Sequence, residues 1–393
     1  MTRNKMRKKS SYIIISLLLI SCLLAASLFF TIKKYRELKI ENAFLALENE
    51  SLKNPIEDQS EDVTETIPSI SDAHDIEGPS AYQKLAQGQP INVLVVGDSI
   101  STYPWDVQIQ EYLKEKYGSD VTIDNRSLTG NSSYSGYVQV EKIPESDELG
   151  NPITYDLAII CHGQNDADAG FSTNYEMLIR SILSRYEGCN IVCVQEASQM
   201  NYTDRMLTIA SIADYYQLQL ADVIGASAAV TGGNIALLTE DNVHPNEQGC
   251  AIYAQTVEAA IDDAVSNNIG KKSMPSPINP EQNSLGKFHY YEATEFKRAD
   301  KVYEMSLTEP INGVLGYDII TTYGDNGFTL IVDGQTEYKV DINGYNEAPL
   351  VNMIGNPENG SFPVINATKS IVIVFNTNPQ ADRFNGLYFS DVK

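Results

Sequence analysis

Between about Ala81 and Asn268 the chain alternates short apolar runs with segments of helical period. Ile91 to Val96 (INVLVV), Val121 to Asp124, Tyr155 to Cys161 (YDLAIIC), Asn190 to Val194 and Leu218 to Val223 read as strands. Asp106 to Tyr117, Tyr175 to Tyr186, Arg205 to Tyr216 and Asn246 to Asp263 read as helices. A run that is apolar at every position has no solvated face, so it belongs to a strand covered on both sides. Strand–helix alternation predicts a parallel sheet between two helical layers, with any chemistry at the carboxyl ends of the strands.

The pattern changes on either side of this α/β segment. Beyond a Pro/Ser/Asn-rich link, Ser273 to Ser284, short β-rich runs follow: His289–Ala293, Lys301–Ser306, Gly313–Thr322, Phe328–Val332, Glu337–Ile342, Ser370–Phe375 and Gly386–Phe389. Turn sequences such as Asp333-Gly334 and Asn343-Gly344 separate several of them, which predicts an antiparallel β-sandwich. It reads either as a glycan-binding module or as a module that packs on and orients its neighbour. Asp341 to Glu347 (DINGYNE) hints at a calcium loop but lacks the full ligand pattern, so a hairpin turn is the simpler reading.

At the other end, Tyr12 to Phe30 is uncharged and about long enough to cross a bilayer. The basic cluster Arg3 to Lys9 before it should stay in the cytoplasm and place the rest outside. Signal-peptidase cleavage near Ala25-Ala26-Ser27, or lipidation of Cys22, are alternatives with the same extracytoplasmic outcome. Leu38, Leu45 and Leu52 with Tyr35, Asn42 and Asn49 have the spacing of a short parallel coiled coil, or of a lone amphipathic stalk. Residues 54–80 are acidic and polar, as in a flexible linker. The expected organisation is a basic tail (1–11), a transmembrane anchor (12–30), a stalk (31–53) that could form a homodimer and a linker (54–80). An α/β domain (81–268), a second linker (269–286) and a β-sandwich (287–393) follow.

Charge sharpens this picture. The 393 residues carry a net charge of −24. Residues 1–39 hold nine Lys or Arg and one acid, Glu37, which leaves 19 basic and 51 acidic residues, or −32, in the remainder. Such a body repels nucleic-acid phosphates, and no basic stripe offsets it. Of the five cysteines, Cys189 and Cys193 lie four apart in one predicted strand, about 13 Å, too far to bond to each other. No metal-ligand spacing occurs. Cys161, Cys189, Cys193 and Cys250 read as buried thiols, with a bridge from Cys161 to Cys189 or Cys193 as the alternative.

The candidate chemistry sits where the predicted strands end. The first runs into Gly97-Asp98-Ser99-Ile100-Ser101, where a serine is either a nucleophile or a helix cap. The second ends near Asn125 and Gly130; such a glycine is a turn residue or lets its amide approach a substrate. The third ends in Cys161-His162-Gly163-Gln164-Asn165-Asp166, where Asn165 is a turn former or an oxyanion donor. Asp241-Asn242-Val243-His244-Pro245 precedes the closing helix. An Asp three residues before a His can hold its tautomer and stabilise the imidazolium. His74 and His289 fall outside the α/β segment, so His244 is the best base and His162 its rival.

Together these blocks resemble the SGNH (GDSL-like) hydrolase family, whose four named residues occur here in order as Ser99, Gly130, Asn165 and His244. Ser99 lies in Gly-Asp-Ser-Ile-Ser, close to the usual Gly-Asp-Ser-Leu-Ser, and Asp241 and His244 match Asp-x-x-His. The resemblance spans about Ile91 to Ala264. It implies a three-layer, flavodoxin-like α/β fold and a serine esterase that needs no cofactor or metal. It implies Ser99 as nucleophile, His244 as base and Asp241 as its orienting partner, with the Ser99 and Gly130 amides and the Asn165 side chain as the oxyanion hole. Asp98 and His162 are assigned to the substrate pocket. With the external location and the sandwich, the expected substrate is an acylated glycan. An acyltransferase using the same triad, and an idle surface glycan-binding protein, are the alternatives.

Overall fold

The computed structural model describes residues 71–199, 202–279, 285–323, 327–342, 347–355 and 362–392. The expected anchor, stalk and most of the first linker, and the centre of the Asp341–Glu347 loop, lie outside the described residues. Among the described residues no helix is long and apolar enough to cross a membrane.

The α/β part contains β1 (Ile91–Gly97), β2 (Val121–Asn125), β3 (Leu157–Cys161), β4 (Asn190–Gln195) and β5 (Gln219–Asp222). Its helices are α1 (Ala81–Ala86), α2 (Trp105–Tyr117), α3 (Ser133–Glu141), α4 (Phe171–Arg185), α5 (Asp204–Tyr215), α6 (Val223–Thr231) and α7 (Glu247–Ser266). The strands pair in parallel in the order β2-β1-β3-β4-β5. The chain leaves β1 to one side for β2 and returns to the other for β3, which opens a crevice at the carboxyl end of β1.

Alternation along the strands explains why they are apolar throughout. Leu94, Val96, Ala158, Ile160 and Ile191 face one layer, where α3, α4 and α5 cover them. Val93, Val95, Leu157, Ile159, Val192 and Val194 face the other, under α1, α2 and α7. Each such buried side chain contributes about 1.5–3 kcal/mol relative to exposure. Cys161, Cys189, Cys193 and Cys250 are free thiols in these layers. The helix α3 (SYSGYVQVE) was not legible in the sequence, because Ser, Gly, Tyr and Val are weak helix formers. Burial of Tyr134, Tyr137, Val138 and Val140 stabilises it instead.

The C-terminal part is an antiparallel sandwich of two sheets. Its strands are β6 (Leu285–Glu292), β7 (Lys297–Ala299), β8 (Val302–Ser306), β9 (Ile311–Ile320), β10 (Phe328–Val332), β11 (Thr336–Val340), β12 (Pro349–Met353), β13 (Val364–Ala367), β14 (Ser370–Phe375) and β15 (Phe384–Val392). One sheet runs β11-β10-β14-β8-β7 and the other β12-β9-β15-β6, with β13 also paired to β9. Ile371, Ile373 and Phe375 show the period of two, pointing into a core with Leu315, Tyr317 and Ile319.

Both expected linkers are drawn into the fold where they are described. Asp75–Ile76 pairs with Lys271–Lys272 as a small antiparallel ribbon. Ile278 and Asn279 donate their amides to the buried carboxylate of Glu176 at 2.6 and 2.9 Å. The sandwich packs directly on the α/β core: Val314, Val351, Met353, Phe362 and Tyr388 belong to the same apolar cluster as α3 and α4. Tyr137 and Ser390 share a hydroxyl hydrogen bond of 2.5 Å, and Lys142 pairs with the buried Asp318 at 2.7 Å. Pro68–Lys393 is therefore one compact unit, not two bodies on a tether.

Candidate active site

Four loops at the carboxyl edge of the sheet meet around Ser99. Strand β1 ends in Gly97, which must lack a side chain: a Cβ there would lie 2.7 Å from the Cys161 carbonyl and 2.1 Å from Ser101 Oγ. The chain then enters a 3-10 turn, Ser99–Thr102, capped by Asp98, whose Oδ1 accepts the Ile100 amide at 2.9 Å. The Trp105 indole locks the turn by donating to the Ile100 carbonyl at 2.8 Å. Ser99 is 6 % exposed, at the surface of the crevice.

His244 arrives from the loop before α7. Glu240 donates its amide to the His244 carbonyl at 2.8 Å, and Asn246 to the Leu238 carbonyl at 3.0 Å. Asn242 takes the left-handed φ of 72° that this tight loop needs, a conformation asparagine tolerates. Asn246 caps α7 by accepting the Gly249 amide at 3.0 Å. Held this way, His244 Nε2 lies 2.9 Å from Ser99 Oγ, and its Nδ1 lies 2.7 Å from Asp241 Oδ2. Asp241 Oδ1 accepts the Val243 and His244 amides at 3.0 and 2.8 Å. The His244 side-chain bond, then these two amides, lower the Asp241 carboxyl to about 2. An ionised Asp241 thus fixes the tautomer that leaves Nε2 free to accept the serine proton.

Two backbone amides of the loops around Ser99 are left without an internal partner. Among the described residues the Ser99 and Gly130 amides have no hydrogen-bond acceptor. Gly130 has φ +74°, and a Cβ there would meet nothing within 4 Å, so the left-handed backbone, not crowding, favours glycine. Asn165 is exposed at the same rim. Its Nδ2 donates to Asp98 Oδ2 at 3.2 Å and to the Asn131 carbonyl at 3.3 Å, both long bonds that bridge the serine and glycine loops.

The pocket assignments of Asp98 and His162 need correction, because both side chains are fully buried. Asp98 lies beneath the serine turn. His162 faces α3, with Nε2 2.7 Å from where a Gly136 Cβ would stand. Burial pushes the His162 imidazole down to about 3, so it is neutral and distant in role from a rival base.

Three contributors were not singled out from the sequence. Tyr103 stacks on the His244 ring, with centroids 5.7 Å apart and planes at 20°. Asn131 ties the glycine loop to the sandwich: its Nδ2 donates to the Pro349 carbonyl and its Oδ1 accepts the Val351 amide, both at 2.8 Å. Glu196 is buried at the end of β4 beside Asp98. The available signal for Glu196 was an acid directly after a wholly apolar strand. Among the described residues, no group of three His, Cys, Asp or Glu side chains is placed to hold a metal ion.

Residues 95–252 match the GDSL-like lipase/acylhydrolase family model. Among curated proteins, none matches the chain. A solved two-domain esterase active on acetylated mannans is similar in fold, with TM-score 0.59 and 19% identity over 79% of this chain and 94% of that one. The same esterase co-crystallised with mannopentaose gives TM-score 0.58 and 17% identity, over 78% and 93%. An acetylxylan esterase from Geobacillus stearothermophilus aligns at TM-score 0.37 and 20% identity, over 45% of this chain and 96% of that one.

Proposed function

The chain belongs, through residues 95–252, to the GDSL-like lipase/acylhydrolase family and is a carboxylic ester hydrolase; from that premise we propose that it removes O-acetyl or other short acyl groups from glycans with a Ser99–His244–Asp241 triad. The observation that carries the proposal is the relay of 2.9 Å from Ser99 Oγ to His244 Nε2 and 2.7 Å from His244 Nδ1 to Asp241.

In this reading Ser99 Oγ attacks the ester carbonyl while His244 Nε2 accepts its proton. The tetrahedral oxyanion takes hydrogen bonds from the Ser99 and Gly130 amides and from Asn165 Nδ2, which exchanges a long internal bond for it. The imidazolium, stabilised by Asp241, then protonates the departing sugar hydroxyl. Water, deprotonated by His244, attacks the acyl-enzyme, and the same steps in reverse release the acid and free Ser99. Tyr103 keeps the imidazole from rotating away.

The glycan substrate is supported by the activity of the two-domain esterase on acetylated mannans, whose fold extends over both parts of this chain. The external, membrane-anchored location is supported by the uncharged run Tyr12 to Phe30 behind the basic cluster Arg3 to Lys9. The test has two readouts on the full chain. A fluorophosphonate probe should label the wild type and not Ser99→Ala, and acetate should be released from acetylated mannan or xylan by the wild type alone. Labelling that persists in Ser99→Ala removes the nucleophile. Hydrolysis of simple aryl acetates without release from any acetylated glycan removes the substrate class.

A further inference from the structure

The catalytic reading leaves a buried carboxyl unused. Glu196 follows β4 and Asp98 follows β1, on either side of Cys161 at the end of β3. Both side chains are fully buried. Glu196 Oε1 is approached by the Cys161 thiol at 3.6 Å, while its Oε2 meets no N–H or hydroxyl donor. Its carboxyl is in hydrogen-bond contact with that of Asp98. Asp98 has its own oxygens committed, Oδ1 to the Ile100 amide at 2.9 Å and Oδ2 to Asn165 Nδ2 at 3.2 Å.

These contacts fix which partner holds the proton. Asp98 accepts two N–H groups, which stabilise its charged form, whereas Glu196 has only a thiol beside it, so Asp98 is the better-stabilised carboxylate of the two. Two buried carboxylates in contact cannot both be ionised, so the acid that supplies the shared proton is Glu196. Burial raises both groups, and the contact with Asp98 raises Glu196 further. The titratable groups facing the pair are Cys161 from β3, Tyr175 from α4, Tyr253 from α7, Asp166, and His244 across the serine.

We propose that Glu196 is a positioning residue of the ester-hydrolysis site: as a neutral acid it donates its proton to Asp98 and thereby holds the one carboxylate that orients both Asn165 and the Ser99–Ile100 turn. The proposal rests on reading Ser99 and Asn165 as parts of the catalytic site. Its consequence is that the donor hydrogen, not the negative charge of a second carboxylate, is what position 196 supplies.

Two variants of the full chain test it. Glu196→Gln keeps a donor for Asp98 and should retain kcat within about threefold of wild type. Glu196→Leu removes the donor and should lower kcat by about ten- to a hundredfold with KM nearly unchanged, the usual result of misplacing a group beside the reacting centre. Infrared difference spectra at neutral pH supply a readout that does not depend on turnover. The wild type should show the carbonyl stretch of one neutral carboxylic acid that Glu196→Gln lacks. Glu196→Gln as impaired as Glu196→Leu, or no acid band lost on substitution, overturns the proposal. If Glu196→Leu does not fold, the infrared comparison with Glu196→Gln still decides it. Loss of probe labelling is confined to Ser99→Ala, so failure of the triad and failure of the Glu196 assignment are told apart.

Discussion

Asn131 is hydrogen-bonded to Val351 across the junction of the α/β part and the sandwich, its Oδ1 accepting that strand amide at 2.8 Å. The same side chain donates to Pro349, and the Asn131 main-chain carbonyl accepts Asn165 Nδ2. One buried residue therefore connects the Asn165 loop to β12. Asn131→Ala orphans a strand amide and a carbonyl, so stability should fall by about 2–6 kcal/mol, at roughly 1–3 kcal/mol for each unpaired group. Denaturant unfolding measures this. Loss within about 0.5 kcal/mol would mean that the junction does not need the bridge.

Removing the sandwich is expected to do more. A chain ending near Asn279 would leave Tyr134 and Tyr137 without the rings of Tyr388 and Phe288 that pack on them. Apolar area of that kind promotes association. The truncated protein should be poorly soluble and show a lowered melting temperature. A soluble, fully active truncation would make the sandwich a separable module after all.

Asn165→Ala removes a proposed oxyanion donor and should lower kcat by about 10²–10³, with KM little changed. Steady-state kinetics on an aryl acetate measure it. An equal loss through KM would place Asn165 in ground-state binding instead.

Asp241 makes a prediction about acid. Its folded carboxyl titrates near 2, below the ordinary value of 3.8. The stability it contributes is therefore present above about 4 and is lost as pH falls through about 2. The melting-temperature difference between wild type and Asp241→Asn should be constant above that window and shrink inside it. Turnover of Asp241→Asn should drop by about 10³–10⁴, because the wrong imidazole tautomer is then accepted. A pH-independent difference would show that the carboxylate charge is not what holds the loop.

Gly97 tests the close crossing of β1 and β3. The Cβ of Gly97→Ala would lie 2.7 Å from a main-chain carbonyl, which cannot swing aside. A cost of about 1–3 kcal/mol is expected, visible in thermal unfolding. An unperturbed variant would mean that the strands move apart freely at this point.

What could be read in the sequence follows from the physics of each element. Fully buried parallel strands leave uninterrupted apolar runs, so Ile91 to Val96 and Tyr155 to Cys161 were plain. The four loop blocks were legible because each carries particular polar residues where a predicted strand ends or the last helix begins, and the structure brings Ser99, His244 and Asp241 within hydrogen-bond reach, with Asn165 bonded to the loop after Gly130. The helix Ser133–Glu141 was not legible, since tertiary burial overrides its weak propensity. Glu196 was hidden because its partner, Asp98, is almost one hundred residues away in the chain. The link after α7 looked like a spacer by composition, but Glu176, far upstream, captures two of its amides.

The ribbon formed by Asp75–Ile76 and Lys271–Lys272 sets a direction. Ser80 Oγ donates to the Ile269 carbonyl at 2.6 Å, and the Ala81 amide to Asn190 Oδ1 at 2.9 Å. Asn190 opens β4, whereas Ser99 lies past the close of β1. The described residues before α1 thus enter the fold at the amino-terminal edge of the sheet, opposite the carboxyl edge that carries Ser99, so the two ends of the sheet are divided between anchoring contacts and the serine crevice.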